Sequence, residues 1–158
     1  MKKIAIITAR GGSKRIPRKN IKNFLGKPIM AYSIEAAIKS GMFDEVMVST
    51  DDEEIAEIAK KYGAKVPFFR SEKTSNDFAT TNDVLLEVID EYEKRGEKFD
   101  YGVCIYPTAP FVDGETLKEV MNELIEKKAE TLIPVVPFSY LFLTEGYCSF
   151  CIWMECIP

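Results

Sequence analysis

Histidine is absent from this 158-residue sequence. Its absence removes the Ser-His-Asp and Cys-His nucleophile arrangements, imidazole acid–base work near neutral pH, and every zinc site that needs a histidine ligand. Long apolar runs are also missing, since no window approaches the roughly eighteen residues of a membrane-spanning helix. The run Ile4–Ala9 is too short for the core of a secretory signal and has no small-residue cleavage site behind it. The expectation is a cytoplasmic protein with no membrane partner. Acidic residues are missing from the first 34 positions, which hold nine Lys and Arg, whereas residues 35–158 carry 12 basic and all 25 acidic residues. A duplex-binding protein needs a broad basic face, so the acidic body excludes a general nucleic-acid partner. A run of cations at one end with no acid among them suits a small anionic ligand, with a solvated charge run as the plainer alternative.

What is present supports a single domain around one core, with 46% of residues hydrophobic and 29% charged. Ile4–Ile7 reads as a short buried strand running into the glycine loop Thr8-Ala-Arg-Gly-Gly-Ser13. A helix is predicted over 28–40, with Pro28 near its first turn and Gly41 as its C-cap. Val46–Val48 is a second strand, and Ser49-Thr-Asp-Asp52 caps a helix over about 52–62 that ends at Gly63. Lys65–Phe69 is predicted as a third strand and Arg70–Ala79 as a polar loop shaped by Asn76 and Asp77. A helix then runs from Thr80 or Thr81 to about Arg95. Tyr101–Tyr106 is a fourth strand stopped by Pro107 and Pro110, Asp113 caps a helix from about Glu115 to Lys128, and Thr131–Val136 is a fifth strand. This alternation predicts an α/β fold, a Rossmann-like three-layer α/β/α arrangement with a mostly parallel sheet and ligand loops at the carboxyl ends of its strands.

The composition breaks near residue 141. Leu141–Pro158 has two charges in eighteen residues, three of the four cysteines, the only tryptophan, and no clear period of 2 or 3.6. The chain is accordingly divided into a nucleotide-binding domain over 1–140 and an atypical apolar tail over 141–158. Cys148-Ser-Phe-Cys151 has no second pair and no βαβ redox context, so neither zinc nor thiol exchange is expected there, and Cys104 reads as a small core residue.

The densest chemical signal is Thr8-Ala-Arg-Gly-Gly-Ser-Lys-Arg-Ile-Pro-Arg-Lys-Asn20. Two glycines let the backbone approach a ligand and expose its amides, and the cations that follow can neutralise phosphate oxygens. The segment matches neither a Walker A loop nor G-x-G-x-x-G, which sets dinucleotide binding aside. Chemistry alone leaves phosphate binding and a plain exposed loop both open. Asp51 and Asp52 could bind a metal, but Ser-Thr-Asp-Asp before a helix reads first as an N-cap. Tyr106 reads equally as a strand end packed on the core and as a substrate contact.

This segment resembles the N-terminal signature of the acylneuraminate cytidylyltransferase (CMP-sialic acid synthetase) family, Ala-Arg-x-x-Ser-Lys-x-x-Pro-x-Lys-Asn. Ala9, Arg10, Ser13, Lys14, Pro17, Lys19 and Asn20 fill its fixed positions. Gly26-Lys-Pro28, Val48-Ser-Thr-Asp51, Arg70 and Pro107-Thr-Ala-Pro110 extend the resemblance in order over about 140 residues, and Cys104-Ile-Tyr-Pro-Thr-Ala-Pro-Phe111 is most similar to the pseudaminic acid branch. The resemblance implies a nucleotide-diphospho-sugar transferase type of fold and transfer of CMP from CTP to the anomeric hydroxyl of a nine-carbon 2-keto acid sugar, with Mg²⁺ and release of pyrophosphate. N-acetylneuraminate, legionaminate and 3-deoxy-octulosonate are the alternative acceptors.

By the same resemblance, Arg10, Lys14 and Lys19 hold the CTP phosphates beside the Gly11 and Gly12 amides, Ser13 and Asn20. Lys19 and Arg10 are the implied catalytic residues, with Lys19 stabilising the charge that develops at the α-phosphate. Arg70 and Ala79-Thr80-Thr81 lie at the cytosine, Pro107 and Thr108 border the ribose, and Tyr106 is the sugar contact. Arg15 and Arg18 fall at variable positions of the signature and read as solvated charges. Full-length members are expected to be homodimers and carry an Asp-x-Asp metal motif that this sequence lacks, which leaves the metal ligands unassigned. The expectation is a fold incomplete at its C-terminus, produced by a premature stop after a frameshift near residue 140, with a non-catalytic fragment that at most binds CTP as the alternative.

Overall fold

Alternation along the first strand sets the layers. In the computed structural model, which describes residues 1–139, 145–149 and 152–156 and side chains through Pro134, β1 (Lys3–Thr8) sends Ala5 and Ile7 into one core and Ile4 and Ile6 into another. These four side chains are buried on both faces of the sheet, as a central parallel strand requires. Parallel neighbours flank β1, with β4 (Glu45–Ser49) on one side and β5 (Tyr101–Ile105) on the other. A two-residue hairpin, β2 (Asn23–Phe24) with β3 (Lys27–Pro28), precedes α1 (Ile29–Ser40). The helix stops where Gly41 turns left-handed at φ 63°.

Three helices cover one face. Met30 and Ile34 of α1, Ile55 and Ala59 of α2 (Glu53–Lys61), and Leu117, Met121 and Leu124 of α5 (Gly114–Glu126) share the core of Ala5 and Ile7. The other face is covered by α4 (Thr81–Lys94), whose Val88 and Tyr92 meet Ile4, Ile6, Met47 and Phe99. Helices therefore lie on both sides of a sheet ordered β4-β1-β5-β9-β6, in which only β9 (Ile152–Cys156) runs against the rest; β6 is Thr131–Leu132. The predicted three-layer α/β fold with a mostly parallel sheet is what the structure shows.

Several predicted elements take other forms. Residues 65–69 make no strand: Lys65 exchanges two backbone bonds with Val46 and Val48, then Pro67 offers no N–H to continue the ladder. The loop after Arg70 contains a one-turn helix, α3 (Glu72–Ser75). The predicted strand over 131–136 is divided at Ile133-Pro134, β6 pairing with β9 while β7 (Val135–Ser139) pairs with β8 (Glu145–Ser149). Two strands thus lie in the segment that shows no period: β8 in a two-stranded sheet with β7, and β9 between β5 and β6 of the main sheet. The side chains of Cys148 and Cys151 lie outside the described residues.

Because α1 leads from β1 to β4 across one face and α4 leads to β5 across the other, the connections diverge at the carboxyl end of β1. A sheet of this kind opens a crevice at that point.

Candidate functional site

A cavity of about 450 Å³ occupies the crevice, with three stretches of chain around it. The first is the loop after β1, which contributes Thr8, Arg10, Ser13, Lys14, Arg15, Ile16, Lys19 and Asn20. Its shape is fixed from the β4–α2 junction. Gly11 N–H donates to Asp51 Oδ1 at 2.8 Å, and a Cβ on Gly11 would stand 2.8 Å from Asp52 Oδ2, so only glycine allows this approach. Arg18, left-handed at φ 55°, spreads its guanidinium over Asp52 and Glu54, with Nη2 3.1 Å from Asp52 Oδ1. These bonds raise the Arg18 pKa, and the same guanidinium holds the Asp52 carboxyl below its ordinary range. Asp52 also caps α2 by accepting from Ile55 N–H at 3.0 Å. Asn20 lies buried beneath the loop and ties it together by donating its Nδ2 to the Arg10 carbonyl at 2.9 Å.

The second wall is the segment from Arg70 into α4. Arg70 is anchored by Nε to Ser49 Oγ at 2.7 Å and by its N–H to the Thr50 carbonyl at 2.9 Å. Burial pushes its pKa down to about 10, against the opposing fields of Asp51 and Glu87. Glu87 of α4 accepts from Ser71 N–H at 2.9 Å and from the Thr74 hydroxyl; burial opposes its charge, but these bonds hold its pKa below the ordinary value. Asn76 Oδ1 accepts from the amides of Phe78 and Ala79 at 2.8 and 3.0 Å, an Asx turn that shapes the loop. Thr80 and Asp83 form a reciprocal capping box at the start of α4. The third wall follows β5: Tyr106, Pro107 and Thr108. The Tyr106 hydroxyl stands 3.3 Å from Thr81 Oγ1, and its carbonyl accepts from Ser33 Oγ at 3.0 Å.

Arg10, Ser13, Lys14, Lys19, Asn20, Arg70, Ala79, Thr80, Thr81, Tyr106, Pro107 and Thr108 therefore meet at one cavity. Gly11 and Gly12 stand outside its lining. The Gly11 amide is committed to Asp51 and the Gly11 carbonyl to Ser13 N–H, because this glycine serves a close approach to the α2 cap. Arg18 is no solvated charge, since it clamps the cap of α2, and Arg15 borders the cavity. Thr74, which the pattern of the sequence did not single out, and Asp77, expected only to shape the loop, complete the second wall. Asp77 is 67 residues from Arg10 along the chain, so no local period could reveal the contact. Cys104 is buried in β5.

Two polar atoms of residues that line this cavity stand out: Asn20 Oδ1 and Arg70 Nη2 are buried and have no hydrogen-bond partner among the described residues. One is an acceptor and one a donor, and burial without a partner is costly for each. A protein-held metal does not fit the described residues, because they contain no group of three or more Cys, Asp or Glu side chains able to surround a cation. Asp52 is already shared between Arg18 and the α2 cap, and Asp51 holds Gly11.

Residues 4–146 match the model of the family described as Cytidylyltransferase. The chain belongs to the cytidylyltransferase family. It is 47% identical over 140 residues to the pseudaminic acid cytidylyltransferase of Campylobacter jejuni subsp. jejuni serotype O:2, covering 89% of this chain and 60% of that protein. It is 39% identical over 142 residues to the CMP-N,N'-diacetyllegionaminic acid synthase of Legionella pneumophila, covering 88% of this chain and 60% of that protein. The chain thus spans about 60% of the length of these curated relatives. Among solved structures, a CMP:2-keto-3-deoxy-manno-octonic acid synthetase complexed with CTP superposes with a TM-score of 0.76 at 18% identity, over 99% of this chain and 74% of the other. At that identity the likeness supports the cytidylyltransferase fold alone. No helix among the described residues is long and apolar enough to cross a membrane.

Proposed function

We propose that this chain binds CTP in the crevice at the end of β1 and belongs to an enzyme that transfers CMP to the anomeric hydroxyl of a nonulosonic acid, pseudaminic acid before the other acceptors. The observation that carries the reading is the cavity itself, which sets Arg10, Lys14 and Lys19 on one wall and Arg70 on the other. In such a transfer the acceptor oxygen bonds to the α-phosphorus, the bond to the β-phosphate oxygen breaks, pyrophosphate leaves, and the hydroxyl loses its proton. Charge builds on non-bridging oxygens, so positioning and neutralisation supply most of the catalysis and histidine is not needed.

Arg10 and Lys14 suit the β- and γ-phosphates. Lys19, exposed and without an ion-pair partner among the described residues, suits the α-phosphate. Arg70, Ala79, Thr80 and Thr81 form the wall for the base, Pro107 and Thr108 for the ribose, and Tyr106 for the sugar. Magnesium belongs to this proposal only as a counter-ion that arrives with the triphosphate. Residues 1–140 carry the nucleotide chemistry, the tail over 141–158 adds β9 to their sheet, and a homodimer in the cytoplasm is the proposed setting.

The test is pyrophosphate release from CTP with each acceptor in turn, beside calorimetric titration of CTP, UTP and ATP. The expected result is CTP-selective binding, with release fastest for pseudaminic acid. Binding of ATP or UTP as tightly as CTP overturns the base assignment, and faster release with N-acetylneuraminate overturns the acceptor.

A further inference from the structure

The two phosphate-side cations after β1 are already neutralised from the opposite wall. Asp77 Oδ1 lies 3.0 Å from Arg10 Nη2, and its other oxygen takes the ammonium of Lys14. The remaining terminal nitrogen of Arg10 donates to the Asn76 carbonyl at 2.9 Å. These contacts cross the cavity, joining the loop after β1 to the segment before α4. Lys19, the third cation, has no such partner among the described residues. The Lys14 hydrogen bond is the chief reason the Asp77 carboxyl lies below its ordinary range, so it is charged at neutral pH.

We propose that Asp77 is an internal counter-anion of this cation pair, holding Arg10 and Lys14 across the cavity until a polyphosphate displaces it and releases residues 76–79. The proposal rests on the reading of the cavity as a polyphosphate site. A single carboxylate with partly exposed partners makes weak ion pairs. A polyphosphate brings several charges and can bond the Arg10 guanidinium in two places, so it wins the exchange. The segment that carries Asp77 is built to yield. Phe78 beside it is 94% exposed, so no packing of its ring opposes the movement. Apart from the contacts across the cavity, the Phe78 and Ala79 amides are held among the described residues only by the turn that Asn76 makes with them, which loosens once Asp77 lets go.

The test is calorimetric titration of inorganic tripolyphosphate and of CTP into the wild-type chain and Asp77→Asn. Removing a competing anion that makes two exposed pairs should tighten tripolyphosphate binding by about three- to tenfold. Equal or weaker binding overturns the proposal, because a residue that merely braces the loop, or that helps to hold the ligand, gives that result. A second measurement needs no variant: tripolyphosphate should speed hydrogen exchange at the amides of residues 76–79 in the wild-type chain, and slower exchange there overturns the proposal. Tripolyphosphate has neither base nor ribose, so the two readings separate. If it shows the gain while CTP binds neither protein, the counter-anion stands and the nucleotide assignment falls. If CTP binds both proteins alike, the counter-anion falls and the nucleotide assignment stands.

Discussion

The two cation-bearing walls of the cavity are built differently. The loop over 8–20 is fastened at long range, by Gly11 to Asp51 and by Arg18 to Asp52 and Glu54, and its Asn20 is buried. The segment over 70–81 is anchored to the sheet through Arg70; Asp77 and the Asn76 carbonyl reach across the cavity to Arg10 and Lys14, and Thr81 meets Tyr106, but its other bonds are to α4 or within itself: Ser71 and Thr74 to Glu87, Asn76 to the next amides, Thr80 to Asp83. The contrast teaches that the loop after β1 is fixed with the fold, whereas the segment before α4 can adjust without disturbing the core.

The sharpest way to probe the first wall is to remove its unpaired cation. Lys19→Ala should lower turnover about 100-fold, the scale of one lost transition-state charge contact. Arg15→Ala, at the same cavity, should lower it less than about threefold, as an exposed charge does; steady-state pyrophosphate release checks both, and equal losses break the phosphate assignment. Next, Gly11→Ala puts a methyl into Asp52 and should destabilise the fold by about 1–3 kcal/mol, read as a lower urea midpoint. The matching change in the other wall, Thr80→Ala, removes a cap and should cost about 1 kcal/mol. Its main effect should be faster hydrogen exchange in the first turn of α4. If Thr80→Ala lowers the midpoint as much as Gly11→Ala, the two walls are equally fixed and the contrast fails.

The smallest effect concerns pH. The Arg18 hydrogen bond depresses the Asp52 carboxyl below its unfolded value of 3.8, so the stability it contributes is whole above that value and is lost as pH falls through the lower folded one. Thermal melts between pH 5 and 3 should therefore fall more steeply for the wild type than for Asp52→Asn. Parallel curves would show that the pairing adds nothing to folding.

The difference between the walls also explains what could be read from the sequence. Ile4–Ile7, the α1 face with Gly41 behind it, Asp52 and Asp113 as caps, and the proline stop after β5 are local patterns, and each stands where its pattern placed it. Lys65–Phe69 misled because its apolar residues matched a strand while Pro67 barred the ladder, and Glu72–Ser75 is too short to show a helical period. Within the cavity, the cations after β1 were legible as cations, but their partners were not. Gly11 read as a donor to phosphate until the fold brought Asp51 and Asp52 against it, and Arg18 read as solvated until α2 arrived. In both cases the deciding contact lies 34 to 41 residues away, beyond any window of local periodicity.

The cavity draws its walls from residues 8–20, 70–84 and 106–108, three stretches that separate when the chain opens. Any occupant that touches all three is bound by the folded state alone, so occupancy and folding are one linked equilibrium. At a hundred times its dissociation constant an occupant adds about 2.7 kcal/mol to the free energy of unfolding. The concentration of that small molecule around the protein then sets how long the chain survives heat and proteases, and a shift in melting temperature becomes a way to find the molecule without assuming any reaction.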